Sequence, residues 1–366
     1  MTQVMPNLIG GGAEAAVRTL CGELAHKGVD VTLVSVYPSG LEAAEIAALG
    51  VPLVELRRQG RRDQSYFPKL IRTLRSSRAD VVHLHLHTGQ YPGRVAAVLA
   101  GAPAIVLTMH GDEPRSRVRW VADRLLHART ARFVVFTEAQ RRRLAADEGV
   151  PLERIAVIAN GVAAPATIGS RDELRTALGL PRDAFVLYTA GRLAPEKNQR
   201  VAIEALAEAR ATGAMDMHLA IAGDGALSGE LRALANDLGL RDFVHFLGFR
   251  RDAAALVRAM DLFVLPSLRE RMPLALAEAM LAGVAVAITP WTGSDDIVRD
   301  GETGFVASGF DADAFAAAVM RAYRDDGTRA AAARRGEAAA RAMFDAGAAA
   351  QAHVDLYREL TAAARR

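Results

Sequence analysis

With a single cysteine, Cys21, the chain can form neither an internal disulfide nor a cysteine-based zinc site. It also lacks any apolar run near the roughly 20 residues that cross a bilayer, and the stretch from Leu281 to Ile288 is far shorter. No basic segment followed by an apolar one stands at the amino terminus, so the expected compartment is a reducing cytoplasm. Aromatic residues make up only 5%, and there is no repeat of solenoid period and no low-complexity tail beyond an alanine bias. What is present, 366 residues with 51% hydrophobic and 24% charged side chains, excludes disorder and collagen. At roughly 150 residues per domain, two domains are expected. The net charge of +3 hides an asymmetry. Residues 1–168 carry 21 basic against 15 acidic side chains and the rest 24 against 27, so the halves face different partners.

Short β-branched runs alternate with alanine-rich helical stretches along the whole chain, the pattern of parallel sheets covered by helices. In the first half strands are expected near Val4 and at Val31–Val36, Pro52–Glu55, Val81–Leu86, Ala104–Thr108, Phe133–Phe136 and Ile155–Ile158. In the second half they are expected at Phe185–Thr189, His218–Ala222, Val244–Leu247, Leu262–Leu265 and Val284–Ile288. Ala13, Ala16, Val17, Leu20, Cys21 and Leu24 share one helical face, which makes Cys21 a core residue. The Asn-Gly and Pro165 within 160–170 read as a linker. In open α/β sheets ligands bind at the carboxyl ends of strands, and the motifs fall just after strands.

Gly10-Gly11-Gly12-Ala13-Glu14-Ala15 follows the first strand and would let a phosphate approach a helix N-terminus. No acidic residue ends the second strand, which closes on Ser35, Val36 and Tyr37, so a nicotinamide site is disfavoured. The same glycines would also serve a plain tight turn. After the first strand of the second half, Arg192 and Lys197 stand five residues apart on one strand-to-helix loop, where two cations and a helix N-terminus can converge on an anion. Solvated surface charges are the alternative. In the third motif, Pro266 to Met280, Pro273 suits the start of a helix. Glu270 then lies in the loop and Glu278 within the helix, in an apolar run where a lone carboxylate is costly and a ribose diol would satisfy it. Glu270 and Glu278 are poorly placed to flank one glycosidic bond as a hydrolase pair would. His83, His85 and His87 share one face of a strand. Imidazoles hydrogen-bonded in a cleft are expected there in preference to zinc ligands, and His110 ends the next strand.

Taken together, these segments resemble the retaining family 4 glycosyltransferases of the GT-B fold over nearly the whole chain. Gly11-Gly12-Ala13-Glu14 looks like the family's Gly-Gly-x-Glu loop and Thr108-Met109-His110 like the segment with its active-site histidine. Val157 to Val162 resembles the V-I-x-N-G-V stretch, Gly191-Arg192-Leu193 with Glu196-Lys197-Asn198 the donor-phosphate loop, and Ala222 to Gly225 the following G-x-G element. Val244 to Gly248 is similar to the base-side strand, Glu270 and Glu278 to the E-x7-E signature, and Asp300 to Phe305 to the D-G-x-x-G ending. The chain departs from the pattern at Arg271-Met272-Pro273, where Gly-Phe-Gly or Gly-Phe-Pro is usual, at Ala163, and at residues 292–296.

The resemblance implies an α/β GT-B architecture of two Rossmann-like doubly wound domains facing each other across a cleft. Residues 1–164 would bind acceptor and 165–343 nucleotide sugar, with a helix over 344–366 crossing back to the first domain. It implies retaining transfer of a hexosyl unit from a nucleotide-diphosphate sugar, UDP favoured over GDP, to a glycan or lipid-linked glycan in envelope or exopolysaccharide synthesis. Arg192 and Lys197 would hold the diphosphate with the amides of Gly11 and Gly12, Glu270 the sugar, Glu278 the ribose, and His110 the anomeric centre. Gly223, Leu247, Met272, Pro273 and Leu274 complete the implied nucleotide site. No metal and no cofactor is implied. A nucleotide-sugar epimerase and a non-catalytic nucleotide-sugar binder are the alternatives. Between Arg57 and Arg78 eight basic residues meet one acid, Asp63, and Tyr66, Phe67, Leu70, Ile71 and Leu74 interleave at near-helical spacing. That composition suits an anionic membrane surface, the inner face of the cell membrane, with the apolar side turned to lipid. The alternative packs that side on the protein's own sheet, and no recognised motif accompanies the charge to suggest nucleic acid.

Overall fold

The computed structural model describes residues 1–8, 11–39, 43–60, 62–86, 89–110 and 123–364. The chain divides into two compact units, Met1–Val162 with Phe344–Arg366, and Ala163–Met343.

The first unit holds an all-parallel sheet of seven strands. They are β1 (Thr2–Met5), β2 (Thr32–Ser35), β3 (Leu53–Glu55), β4 (Val81–His85), β5 (Ala104–Thr108), β6 (Arg132–Val135) and β7 (Ile155–Val157). Their order is β3-β2-β1-β4-β5-β6-β7. Val4 stands opposite Val34 and Leu84, and these residues face one core with the helices Tyr66–Ser77 and Arg94–Ala100. Met5, Leu33 and Val81 face the other core, built with the helices Gly12–His26 and Ala346–Ala364. Strands buried on both faces need near-continuous apolar runs, which is why they were legible.

The second unit repeats the plan with six parallel strands: β8 (Phe185–Ala190), β9 (Met217–Ala222), β10 (Val244–Gly248), β11 (Leu262–Leu265), β12 (Ala285–Ile288) and β13 (Phe305–Val306). Their order, β10-β9-β8-β11-β12-β13, reverses direction between β8 and β11 as the first sheet does between β1 and β4. In doubly wound sheets ligands bind at such switch points. The twelve expected strands are present. The thirteenth, β13, was not foreseen, because two residues are too few to show a pattern. Arg175, wholly buried, donates to the carbonyls of Ala259, Arg182 and Ala184 and to Asp261 Oδ2, which also accepts from the Val186 amide.

The basic helix Tyr66–Ser77 corrects one expectation. Tyr66, Leu70 and Leu74 are buried against the sheet, with Phe67 and Ile71 packed beside them, so its apolar face is spent on the core. Only its cationic face meets solvent. Among the described residues no helix is long and apolar enough to cross a membrane.

Candidate active site

In the second unit, three loops interlock at the carboxyl end of the sheet. The Gly191 amide donates to Ala222 O, the Leu193 amide to Asp224 O, and the Gly223 amide to Gly248 O. Gly191 and Gly223 have φ of 153° and 148°, a region that side chains rarely enter. A Cβ on Gly223 would also run into the Gly191 carbonyl. Gly223→Ala is therefore expected to displace the 191–197 loop and weaken, about tenfold or more, roughly 1.4 kcal/mol, the nucleoside-diphosphate binding that the sequence resemblance implies. Titration calorimetry with UDP reads this directly, and an unchanged dissociation constant would remove the loop from the implied site.

The loop then forms a short 3-10 turn, Pro195–Lys197, and the helix Gln199–Ala211 starts directly after Asn198, whose φ of 51° asparagine tolerates. Lys197 Nζ donates to Glu270 Oε1 at 2.7 Å, and Ser267 Oγ donates to the same oxygen at 2.6 Å. The Glu270 side chain is 8% exposed and that of Lys197 25%. Ser267 is itself held by Thr289 Oγ1, which donates to its carbonyl at 2.6 Å. The second oxygen of Glu270, Oε2, keeps its acceptor capacity, with no hydrogen-bond partner among the described residues. Ser267 and Thr289 belong to this site and were not foreseen. Their signal is weak, since small hydroxyls after strands are common in turns.

Arg192 stands apart. Its guanidinium donates to Glu196 Oε1 at 2.6 Å and its side chain is 71% exposed. The two cations of the loop thus engage separate carboxylates and do not meet at one point. Glu270 lies in the loop and Glu278 in the helix Leu274–Leu281, which starts one residue after Pro273. The Glu278 carboxylate is largely buried, has no hydrogen-bond partner among the described residues, and burial raises its pKa. Met272 and Pro273 are buried, while Leu247, Leu274 and Gly223 are half-buried. Burial lowers the pKa of the Arg271 guanidinium.

In the first unit, Gly11 caps the helix Gly12–His26, and both Gly11 and Gly12 are exposed. The buried Glu14 folds its carboxylate back toward Gly11, so a Cβ there would strike it. The positive end of this helix already has an anion of its own. His83 and His85 point to the core face that carries the Ala346–Ala364 helix. His83 Nδ1 lies 2.7 Å from the Tyr357 hydroxyl and its Nε2 2.6 Å from Thr108 Oγ1. His85 Nε2 lies 2.6 Å from Gln3 Oε1, and its Nδ1 2.9 Å from His110 Nε2. Burial holds His83 and His85 well below the usual imidazole range and takes His110 down to about 3. His87, Gly10, Arg61 and Gly111-Asp112 lie outside the described residues.

A family profile described as Glycosyl transferases group 1 matches residues 170–339, and one described as Glycosyltransferase Family 4 matches residues 10–164. The chain is 32% identical over 277 residues to the UDP-Gal:alpha-D-GlcNAc-diphosphoundecaprenol alpha-1,3-galactosyltransferase of Escherichia coli, covering 72% of this chain and 71% of the relative. It is likewise 32% identical over 279 residues to the D-inositol 3-phosphate glycosyltransferase of Thermomonospora curvata, covering 68% and 64%. Among solved structures, Anabaena HepE in complex with UDP-glucose superposes with a TM-score of 0.86 over 98% of this chain and 99% of that one, at 22% identity.

Proposed function

The chain belongs to the group 1 glycosyltransferases of the GT-B fold, and we propose that it moves a hexosyl unit, with retention, from a UDP-sugar to a hydroxyl of a lipid-linked glycan. The observation that carries this reading is the Lys197–Glu270–Ser267 cluster at the switch point of the second sheet. As the bond from sugar to diphosphate breaks, negative charge grows on the leaving group, and fixed cations are what the transition state needs. Lys197 is assigned to that phosphate, with the exposed Arg192 exchanging Glu196 for it. The open oxygen of Glu270 suits a sugar hydroxyl, and the partnerless Glu278 suits the ribose diol. His110 holds the reacting sugar. With no second nucleophile assigned, the leaving phosphate oxygen takes the proton of the acceptor hydroxyl as the new glycosidic bond forms.

The choice of UDP is supported by the donor in the name of the Escherichia coli relative. Both relatives reported above act, by their names, on phosphorylated acceptors, which agrees with the basic balance of residues 1–168. The test is incubation with UDP-galactose or UDP-glucose and a polyprenyl-diphosphate N-acetylglucosamine. UDP release should depend on acceptor, yield an α-linked lipid disaccharide, and persist in EDTA. Release without acceptor, with the sugar isomerised, would point to an epimerase, and an absolute need for Mn²⁺ would overturn the metal-free scheme.

Membrane association is proposed to be electrostatic only, through Lys69, Arg72 and Arg75 beside Arg57 and Arg58, since the apolar side of that helix is occupied. At about 1 kcal/mol per cation near an anionic surface, flotation with phosphatidylglycerol vesicles should be strong at low salt and lost at high salt. Salt-resistant flotation would mean that apolar insertion does occur.

A further inference from the structure

The imidazoles of the first unit determine how His110 is presented, an inference that rests on His110 meeting the reacting sugar. Gln3 Oε1 has no proton to give, so its contact with His85 requires the hydrogen on His85 Nε2. The Gln3 amide group is turned the other way, 4.0 Å from the Met1 sulfur. Burial keeps His85 neutral, so its Nδ1 is a bare lone pair. That lone pair is 2.9 Å from His110 Nε2, which must therefore carry its own proton there. His110 is neutral as well, and its Nδ1 is left bare with no partner among the described residues.

We propose that Gln3 and His85 are positioning residues which lock His110 in the Nε2–H tautomer, so that it receives a hydrogen bond from a substrate hydroxyl at Nδ1. No other group among the described residues of the neighbouring elements does this. His83 stacks on His85 at 4.3 Å between ring centres, His353 and Tyr357 approach from the last helix, and Phe136 lies 5.4 Å from the His110 ring. Among the described residues, the charges that act on His85 and His110 are those of other imidazoles, with no carboxylate or ammonium among them. An unlocked imidazole would present an N–H to the same hydroxyl in part of the population, and the hydroxyl would there have to accept instead of donate.

Side-chain ¹⁵N NMR of the full protein at neutral pH should show His110 Nε2 protonated and Nδ1 bare, and the opposite assignment overturns the proposal. Gln3→Glu sets a carboxylate against His85 Nε2 and favours a doubly protonated ring. That ring donates from Nδ1, so His110 must accept at Nε2 and carry its own proton on Nδ1, one proton leaving Nε2 to solvent and one arriving at Nδ1 from it. Turnover of UDP-galactose by Gln3→Glu should then rise about tenfold with pH as His85 loses the extra proton, a step absent from the unsubstituted enzyme. A profile that shows no such step overturns the lock. His85→Asn, whose Oδ1 can accept from His110, should keep about tenfold more kcat than His85→Phe at similar KM, whereas equal losses would mean packing alone. If the unsubstituted protein transfers no sugar, the glycosyltransfer reading fails while the NMR assignment still decides the tautomer.

Discussion

Lys197→Ala is expected to lower kcat/KM for sugar transfer by at least 10²- to 10³-fold, about 3 to 4 kcal/mol, with the folded structure retained. Two losses combine. The departing diphosphate loses a fixed cation at the moment its charge grows. Glu270, 8% exposed, also loses the ammonium that neutralises it and keeps, among the described residues, only Ser267, so the loop around the transferred sugar is disturbed. Pairing the substitution with Glu270→Gln separates the two. The double variant should regain thermal stability, because the remaining amide is neutral and Ser267 can still bond it, yet stay inactive. Lys197→Arg should recover only part of the rate, since a planar fork does not reproduce a compact point charge. Steady-state kinetics and melting curves on the four proteins decide the matter. Full turnover in Lys197→Ala would end the assignment of this loop to the donor phosphate.

Mild acid should unfold the first unit steeply. His83, His85 and His353 are almost completely buried in one core, and burial lowers all three, His353 to about 4. Their unfolded value is near 6.5. Above that pH both states are neutral and these groups leave stability unchanged. As pH falls below it, the unfolded chain takes up protons that the native core refuses, so stability is lost with each step down toward the native values. Three such imidazoles give a slope of about 4 kcal/mol per pH unit, enough to consume a typical domain stability within two to three units. Carboxylates at their ordinary values titrate below the upper part of this window. Urea midpoints between about pH 7 and 5.5, with hydrogen exchange read over the strands of the first unit, should show the fall there first. In the second unit two histidines, His218 and His245, are lowered by burial, His218 to about 4, but both are less deeply buried than those of the first unit. Stability that did not change over this range would mean that the native core accepts the protons.

The parts that were legible in the sequence are those whose signal is local. Twelve strands showed because each is a short apolar run between turn residues, and the loops that follow them could be located from glycines and charges alone. Glu270 and Glu278 could be divided between loop and helix because Pro273 marks a helix start within a few residues of both. β13 escaped, since it is defined by pairing of Phe305 and Val306 with Ala287 and Ile288. Gly161, quoted for its place in a motif, is required by packing, because a Cβ there would collide with the backbone of Ala346.

By itself, then, the order of residues determined two parallel sheets and the set of side chains near their carboxyl ends, because periodicity and turn chemistry act over a few residues. Tertiary structure alone decided which of those side chains meet. Lys197 pairs with Glu270 across 73 residues of chain while Arg192, on the same loop, does not, and His85 takes Gln3 from 82 residues away. The basic helix, amphipathic in sequence, became a core helix once the sheet claimed its apolar face. Such partners depend on strand order and register, and hydrogen bonds of about 2.6 to 2.9 Å between them form only when the whole sheet has set the distances.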